Sequence, residues 1–180
     1  INSDSELNRQ NIKKYIANLT IGSGAVAIML SNSDKIKSGH QIKLAKVMAD
    51  TNSNNLCQGH GNPDSLMMET DSEKLMKVGI ELSQKNWEEF KKYSNWNDTN
   101  IDWVVGHQVR RAQEESILKA LDLQDVPTFS TYEFLGNTGS CALPITLSLL
   151  NKEVDIKVGS KLALLGIGSG LNSIMMGVEW

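Results

Sequence analysis

Leu162-Ala163-Leu164-Leu165-Gly166-Ile167-Gly168-Ser169-Gly170-Leu171-Asn172-Ser173-Ile174-Met175-Met176-Gly177-Val178 sets the architecture of this chain. Two short apolar runs flank a glycine-rich link, and runs of this length bounded by glycine read as strands over Leu162 to Leu165 and Asn172 to Val178. Only Gly166 to Gly170 joins them, too short for a crossover, so the pair is antiparallel. Upstream, Thr138 to Leu150 reads as an apolar helix and Pro127 to Phe129 as a short strand. Val109 to Leu121 is a helix with Ile117, Leu118 and Leu121 inward, and Ile101 to Val105 a strand. Thr70-x-x-Glu73 is a capping-box pattern before the longest helix, along which Leu75, Val78, Leu82, Phe90 and Tyr93 recur near helical spacing. Strands alternating with helices give an α/β layered fold, a mixed sheet with flanking helices.

The first third is less regular. Residues 1–18 are polar and suit a lid or connecting piece. Leu19 to Leu30 is continuously apolar, which predicts a strand buried on both faces, and its glycines predict another backbone close by. Ser31 to Gly39 reads as a turn, Gln41 to Ala49 as a strand, and residues 50–66, dense in Asn, Asp, Ser and Gly, as a long loop.

Composition narrows the function. Lys plus Arg number 18 against 21 Asp plus Glu, a net charge of -3 with both signs interspersed, so no footprint for nucleic acid or anionic lipid exists. No apolar run approaches the ~20 residues of a membrane span. The chain opens Ile1-Asn2-Ser3-Asp4 without Met, basic run or apolar run, so no signal peptide is expected, and its first residue need not be its gene's first. Two cysteines are too few for a disulfide scaffold, and with seven Met they make a reducing, cytoplasmic setting the expectation.

Three segments carry candidate chemistry, each where a strand or loop gives out. In Val104-Val105-Gly106-His107-Gln108, His107 fits a hydrogen-bonded core histidine and a catalytic one equally well. In Gly136-Asn137-Thr138-Gly139-Ser140-Cys141, Asn137 or Thr138 is as well placed to cap the following helix as to act on a substrate. Gly168, Ser169 and Gly170 form a turn whose backbone N–H groups suit an anion or oxyanion, although many hairpins are glycine-rich. The turn runs on into a strand rather than a helix, so it is no dinucleotide fingerprint. His40 follows Ser38-Gly39 in a turn. His60 lies three residues after Cys57 with no second ligand pair, so no metal site is expected.

Taken together, His107-Gln108, Gly136-Asn137-Thr138 with Pro144, and Gly166-x-Gly168-Ser169-Gly170 resemble in order and spacing the signature of ketoacyl synthase III-type condensing enzymes of the thiolase superfamily. Ile21-Gly22-Ser23-Gly24-Ala25 is similar to a strand of the same family. Within it, Leu19 to Ala27, Phe134 to Asn137 and the ending Gly177-Val178-Glu179-Trp180 look closest to the branch that begins long-chain olefin biosynthesis (OleA type), which joins two fatty acyl-CoA molecules.

The resemblance implies a thiolase-like layered fold. Residues 1–50 would close the N-terminal half and residues 51–180 form the C-terminal domain. It implies that His107 and Asn137 are donors to the carbonyl oxygen of a second acyl thioester, and that the backbone N–H near Ser169, between Gly168 and Gly170, serves an acyl-cysteine oxyanion. No cofactor is implied, acyl-CoA or acyl carrier protein thioesters being substrates. The family's nucleophilic cysteine lies upstream of the segment resembling Leu19 to Leu30, and no cysteine precedes that segment here. Cys57 sits in a polar loop, and Cys141 where the family places packing residues. The expected partners are therefore an N-terminal half bearing the nucleophile and a base, a homodimer-like assembly, and the acyl thioester. A half-fold would leave one sheet face unburied. Loss of catalysis with retention as a scaffold, and acyl transfer or thioester hydrolysis, are the competing expectations. The loop 50–66 would border the thioester entrance, and Arg110 and Arg111 are open to a phosphate, a carrier protein or solvent.

Overall fold

A computed structural model describes residues 18–32, 34–36, 38–61 and 67–180. The polar lid or connecting piece expected at residues 1–18 falls almost wholly outside them. The strands are β1 (Gln41–Ala49), β2 (Cys57–His60), β3 (Met67–Thr70), β4 (Trp103–Gly106), β5 (Lys161–Gly168) and β6 (Asn172–Glu179). The helices are α1 (Ser72–Ser94), α2 (Arg111–Ala120), the single turn α3 (Tyr132–Leu135) and α4 (Ala142–Glu153).

One mixed sheet runs in the order β1-β6-β5-β4. β5 and β6 are antiparallel, as their tight link requires, and β4 lies parallel to β5. β1 precedes the domain boundary read at residue 50, yet it pairs antiparallel with β6 from Gln41↔Glu179 to Ala49↔Asn172. A bulge falls between Ile42 and Leu44.

Side chains on successive strand positions face opposite sides, and the two cores follow that period. Val104, Ala163, Leu165 and Met175 join Trp87 and Phe90 of α1 and Leu118 of α2 on one face. Val105, Leu162, Leu164 and Val178 join Leu150 of α4 on the other. Phe90 is fully buried, stacked on Trp87 at 5.1 Å and edge-on to Trp96 at 6.1 Å. Removing such an aromatic typically costs about 3–5 kcal/mol, so this trio anchors α1 to the sheet.

Several local readings need correction. Leu19 to Leu30 is not a doubly buried strand. Leu19 and Thr20 are helical, Ile21 makes one bridge to Asn137, and the rest runs irregularly, with Ile28, Met29 and Leu30 exposed at 68%, 85% and 75%. A doubly buried strand needs a paired ladder and covers on both faces, and among the described residues this segment has only the Ile21–Asn137 bridge and leaves Ile28 to Leu30 exposed. The close backbone predicted at its glycines is present: a Cβ on Gly22 would overlap the Leu135 carbonyl oxygen. The loop at 50–66 instead holds a 3-10 turn at Thr51–Leu56, started by Asp50 accepting from Asn52 N–H, and then β2, paired with β3. Residues 62–66 lie outside the described set.

The cap of α1 is Asp71, which accepts from Lys74 N–H, and not the Thr70 box, because Thr70 is still paired in β3. Pro127 to Phe129 reduces to a single bridge between Thr128 and Val104. The helix read from Thr138 splits into a 3-10 turn, Gly139–Cys141, and α4. Beyond α4 no element among the described residues covers its face of the sheet: Ile42 pairs with Val178 and Val47 with Ile174, and Ile42, Val47 and Ile174 are 49%, 67% and 41% exposed. A contiguous apolar face of this kind marks an interaction surface. Among the described residues, no helix is long and apolar enough to cross a membrane.

Candidate active site

His107 stands one residue beyond β4, and its N–H donates to Leu165 O at 2.8 Å, extending the parallel pairing with β5. The histidine backbone is thus fixed to the strand that ends at Gly168. Burial alone lowers its pKa, with no charged group contributing, so the ring is neutral at pH 7 and keeps one N–H to donate.

Protonating His107 costs more in the folded chain than in the unfolded one, where imidazole titrates near its ordinary value of about 6.5. The unfolded chain therefore binds more protons below that pH. The stability tied to a neutral His107 is complete above about pH 6.5 and declines as the pH falls below it. His40, whose pKa is also lowered by burial where it stacks on Trp180, adds to the same slope. Urea midpoints measured from pH 7.5 to 5 should fall with acid, and the fall should be shallower in His107→Gln. Parallel curves for the two proteins would count against a desolvated imidazole.

Asn137 is clamped by its backbone. Its N–H donates to Thr20 O at 2.8 Å, and its carbonyl accepts from Gly22 N–H at 2.9 Å. Gly136 makes this approach possible: its φ is +67°, and a Cβ would stand 2.5 Å from Thr20 O. The side-chain oxygen of Asn137 accepts from Gly139 N–H at 3.0 Å, which commits that oxygen to the loop and leaves the amide nitrogen as the free donor. Neither Asn137 nor Thr138 caps α4: the residue before that helix is Cys141, with no side-chain cap bond.

Gly168 closes β5, paired with Asn172, and Ser169, Gly170 and Leu171 form the turn into β6, where Asn172 Nδ2 donates to Ser169 O at 2.9 Å. Gly168, Ser169, His107 and Asn137 all line one cavity of about 1660 Å³. Its remaining wall is mainly apolar, with Met76, Ile80, Leu143, Leu147, Ile167 and Leu171 among the contributors. Usual ligand sites run to roughly 300–1,000 Å³. This one is larger because it continues past Ile28 onto the sheet at Ile42 and Ile174.

The β2–β3 hairpin adds Cys57, Met68 and Thr70 to the wall, and Arg110 lines it as well. Arg111 turns aside to pair with Glu133 at 3.2 Å. Cys57 accepts from the Thr70 hydroxyl at 3.6 Å, and Cys141 donates to Gly24 O at 3.2 Å, so both thiols are tied into local packing. Among the described residues, no three His, Cys, Asp or Glu side chains gather as metal ligands. Sequence reading gave no role to Gln108, Thr131 and Thr146, three buried polar residues between the His107 and Asn137 segments. Gln108 stands out in the sequence only as the neighbour of His107 in the signature, and Thr131 and Thr146 give no signal beyond their polarity.

Residues 92–180 match the family model described as 3-oxoacyl-[acyl-carrier-protein] synthase III C terminal. The acyl-CoA:acyl-CoA alkyltransferase of Shewanella oneidensis is 36% identical over 95% of this chain and 51% of its own length. The β-ketoacyl-[acyl-carrier-protein] synthase III of Wolbachia pipientis wMel is 29% identical over 83% of this chain and 47% of its own. The structure of a cysteine-to-serine variant of Xanthomonas campestris OleA with bound lauric acid and lauroyl-CoA superimposes with a TM-score of 0.89 at 32% identity. That match covers 99% of this chain and 52% of the other. The chain thus spans about half the length of the relatives it matches. On structural superposition, residue identity and family model together, it belongs to the thiolase-fold, ketoacyl synthase III-like family of condensing enzymes and corresponds to the C-terminal half.

Proposed function

We propose that this chain is the C-terminal half of an enzyme that condenses two acyl thioesters, long-chain fatty acyl-CoA molecules being the favoured substrates. The supporting observation is that His107, Asn137, Gly168 and Ser169 open onto one apolar-walled cavity, which Gly170 does not line. The likeness to acyl-CoA:acyl-CoA alkyltransferases favours coenzyme A over a carrier protein.

In this reading an upstream N-terminal half supplies a cysteine thiolate and a carboxylate base. The thiolate attacks the first acyl thioester, and coenzyme A leaves as the thiol. The base then removes a Cα proton from the second acyl thioester, and the electron pair moves onto its carbonyl oxygen. Neutral His107 and the Asn137 amide donate hydrogen bonds to that oxygen as its charge grows. The enolate carbon attacks the acyl-cysteine carbonyl, whose oxyanion is met by the backbone N–H at Ser169. Collapse of that adduct expels the cysteine thiolate and leaves a 3-oxoacyl thioester branched at Cα. A neutral histidine suits the task, since it donates without placing a full charge in an apolar cavity.

The test is to incubate the full-length protein with a long-chain acyl-CoA and follow peptide masses and products together. A single acyl adduct on a cysteine upstream of residue 18, with a product of twice the acyl length, is the expected result. An adduct on Cys57 or Cys141, or release of free fatty acid alone, would replace condensation with acyl transfer or hydrolysis.

A further inference from the structure

Gln108, Thr131 and Thr146 are 1%, 1% and 0% exposed, and none of them lines the cavity. Burying a carboxamide costs roughly 1–3 kcal/mol unless its hydrogen bonds are recovered. Here they are recovered at both ends. Gln108 Nε2 donates to Gly106 O at 2.8 Å, across His107. Gln108 Oε1 accepts from Thr131 N–H at 2.7 Å and Tyr132 N–H at 3.3 Å, filling the role of a cap at the start of α3, where Thr131 makes no side-chain cap bond. The Thr146 hydroxyl donates to Ala142 O at 2.7 Å. The Thr131 hydroxyl, 2.7 Å from Thr146 Oγ1, is then the donor between the two.

The relay therefore joins the residue after His107 to both elements that flank Asn137: α3, which ends two residues before it, and α4, which begins five residues after it. His107 is otherwise fixed to β5 and Asn137 to the Thr20–Gly22 segment. Partly buried or exposed links also cross from α2, where Glu114 accepts from Ser130 at 2.7 Å and Arg111 pairs with Glu133 at 3.2 Å, but the fully buried connection beside His107 is this relay. We propose that Gln108 is a positioning residue that sets the distance between His107 and Asn137, with Thr131 and Thr146 carrying the constraint into α4. The inference rests on the reading of His107 and Asn137 as donors to one oxygen. Two donors stabilise a developing charge only when both reach it, and a displacement of about 1 Å can cost about 10²-fold in rate.

The test uses the full-length protein and measures its two half-reactions separately: coenzyme A release in the first acyl transfer, and carbon–carbon bond formation. Gln108→Leu is expected to slow bond formation about 10²-fold and to leave the first transfer nearly unchanged. Thr146→Val, which keeps Gln108 but breaks the far end of the relay, should show a smaller loss of the same kind. Thr146→Ser should recover most of that loss. If Gln108→Leu slows both half-reactions equally, or Thr146→Val leaves bond formation at the parent rate, the positioning role is wrong. His107→Ala run in parallel separates the failures. If it slows bond formation selectively while Gln108→Leu does not, the donor reading stands and the relay falls. If His107→Ala leaves bond formation untouched, both fall.

Discussion

Replacing His107 with alanine in the full-length protein should slow carbon–carbon bond formation by about 10²–10³-fold, the usual cost of removing one donor to a developing oxyanion. The first acyl transfer should stay within a few-fold of the parent, because in the proposed mechanism its oxyanion forms on the other carbonyl, at the Ser169 turn. Asn137→Ala should give a loss of similar size, and the double variant should lose less than the product of the two, since donors to one oxygen act as a unit. Rapid quenching with mass detection of acyl-enzyme and 3-oxoacyl product separates the steps. Equal slowing of both by His107→Ala would assign the histidine to the fold or to the nucleophile. The imidazole is well supported for the donor role: its backbone is tied to Leu165, and its pKa is lowered by burial alone.

Gly22→Ala should be nearly as damaging, although Gly22 has no reactive group. A Cβ there would overlap the Leu135 carbonyl oxygen, a backbone atom that no rotamer change can move away. Either the Thr20–Gly22 segment or the α3–Asn137 turn must shift, and Asn137 loses one or both of its backbone clamps. A displacement near 1 Å costs about 10²-fold in a positioned reaction. Bond formation should therefore fall by about that factor, with a smaller drop in thermal midpoint. Gly106→Ala is the control, because a Cβ there meets nothing within 4 Å. Comparable damage from Gly106→Ala would mean that any added methyl harms this region, and the clamp would lose its special standing.

Where the information was local, the fold was legible in the sequence. The β5–β6 pairing followed from a link too short to cross over, and the inward faces of α1 and α2 from helical spacing, except at Tyr93, which is 65% exposed under Lys46 instead of buried. The misreadings came where non-local partners rule. Leu19 to Leu30 has the composition of a doubly buried strand, but composition cannot say whether the covers lie in the same chain. Thr70 has the spacing of a cap, yet pairing in β3 claimed it and passed the cap to Asp71. At 50–66, turn-forming residues concealed a hairpin, since Cys57-Gln58-Gly59-His60 carries no alternation to announce a strand. In the site, His107, Asn137 and the glycine turn could be named only through their resemblance to a known signature. Each fits a structural role equally well when taken singly. The Gln108 relay stayed invisible because its members are 23 and 38 residues away from Gln108 along the chain.

The bulge in β1 governs how this half-fold can associate. β1 is an edge of the sheet, and an open edge is a template for adding strands without limit. The register slips between Ile42 and Leu44, and the strand carries two lysines: Lys43 bonded to Glu179 at 3.3 Å, and Lys46 set over the Tyr93 ring at 3.6 Å. A twisted, cationic rim is a poor template for another backbone, whereas the bare face beside it at Ile42, Val47 and Ile174 is apolar. Growth into fibres by edge addition is thereby discouraged, while the apolar face stays open to face-to-face docking.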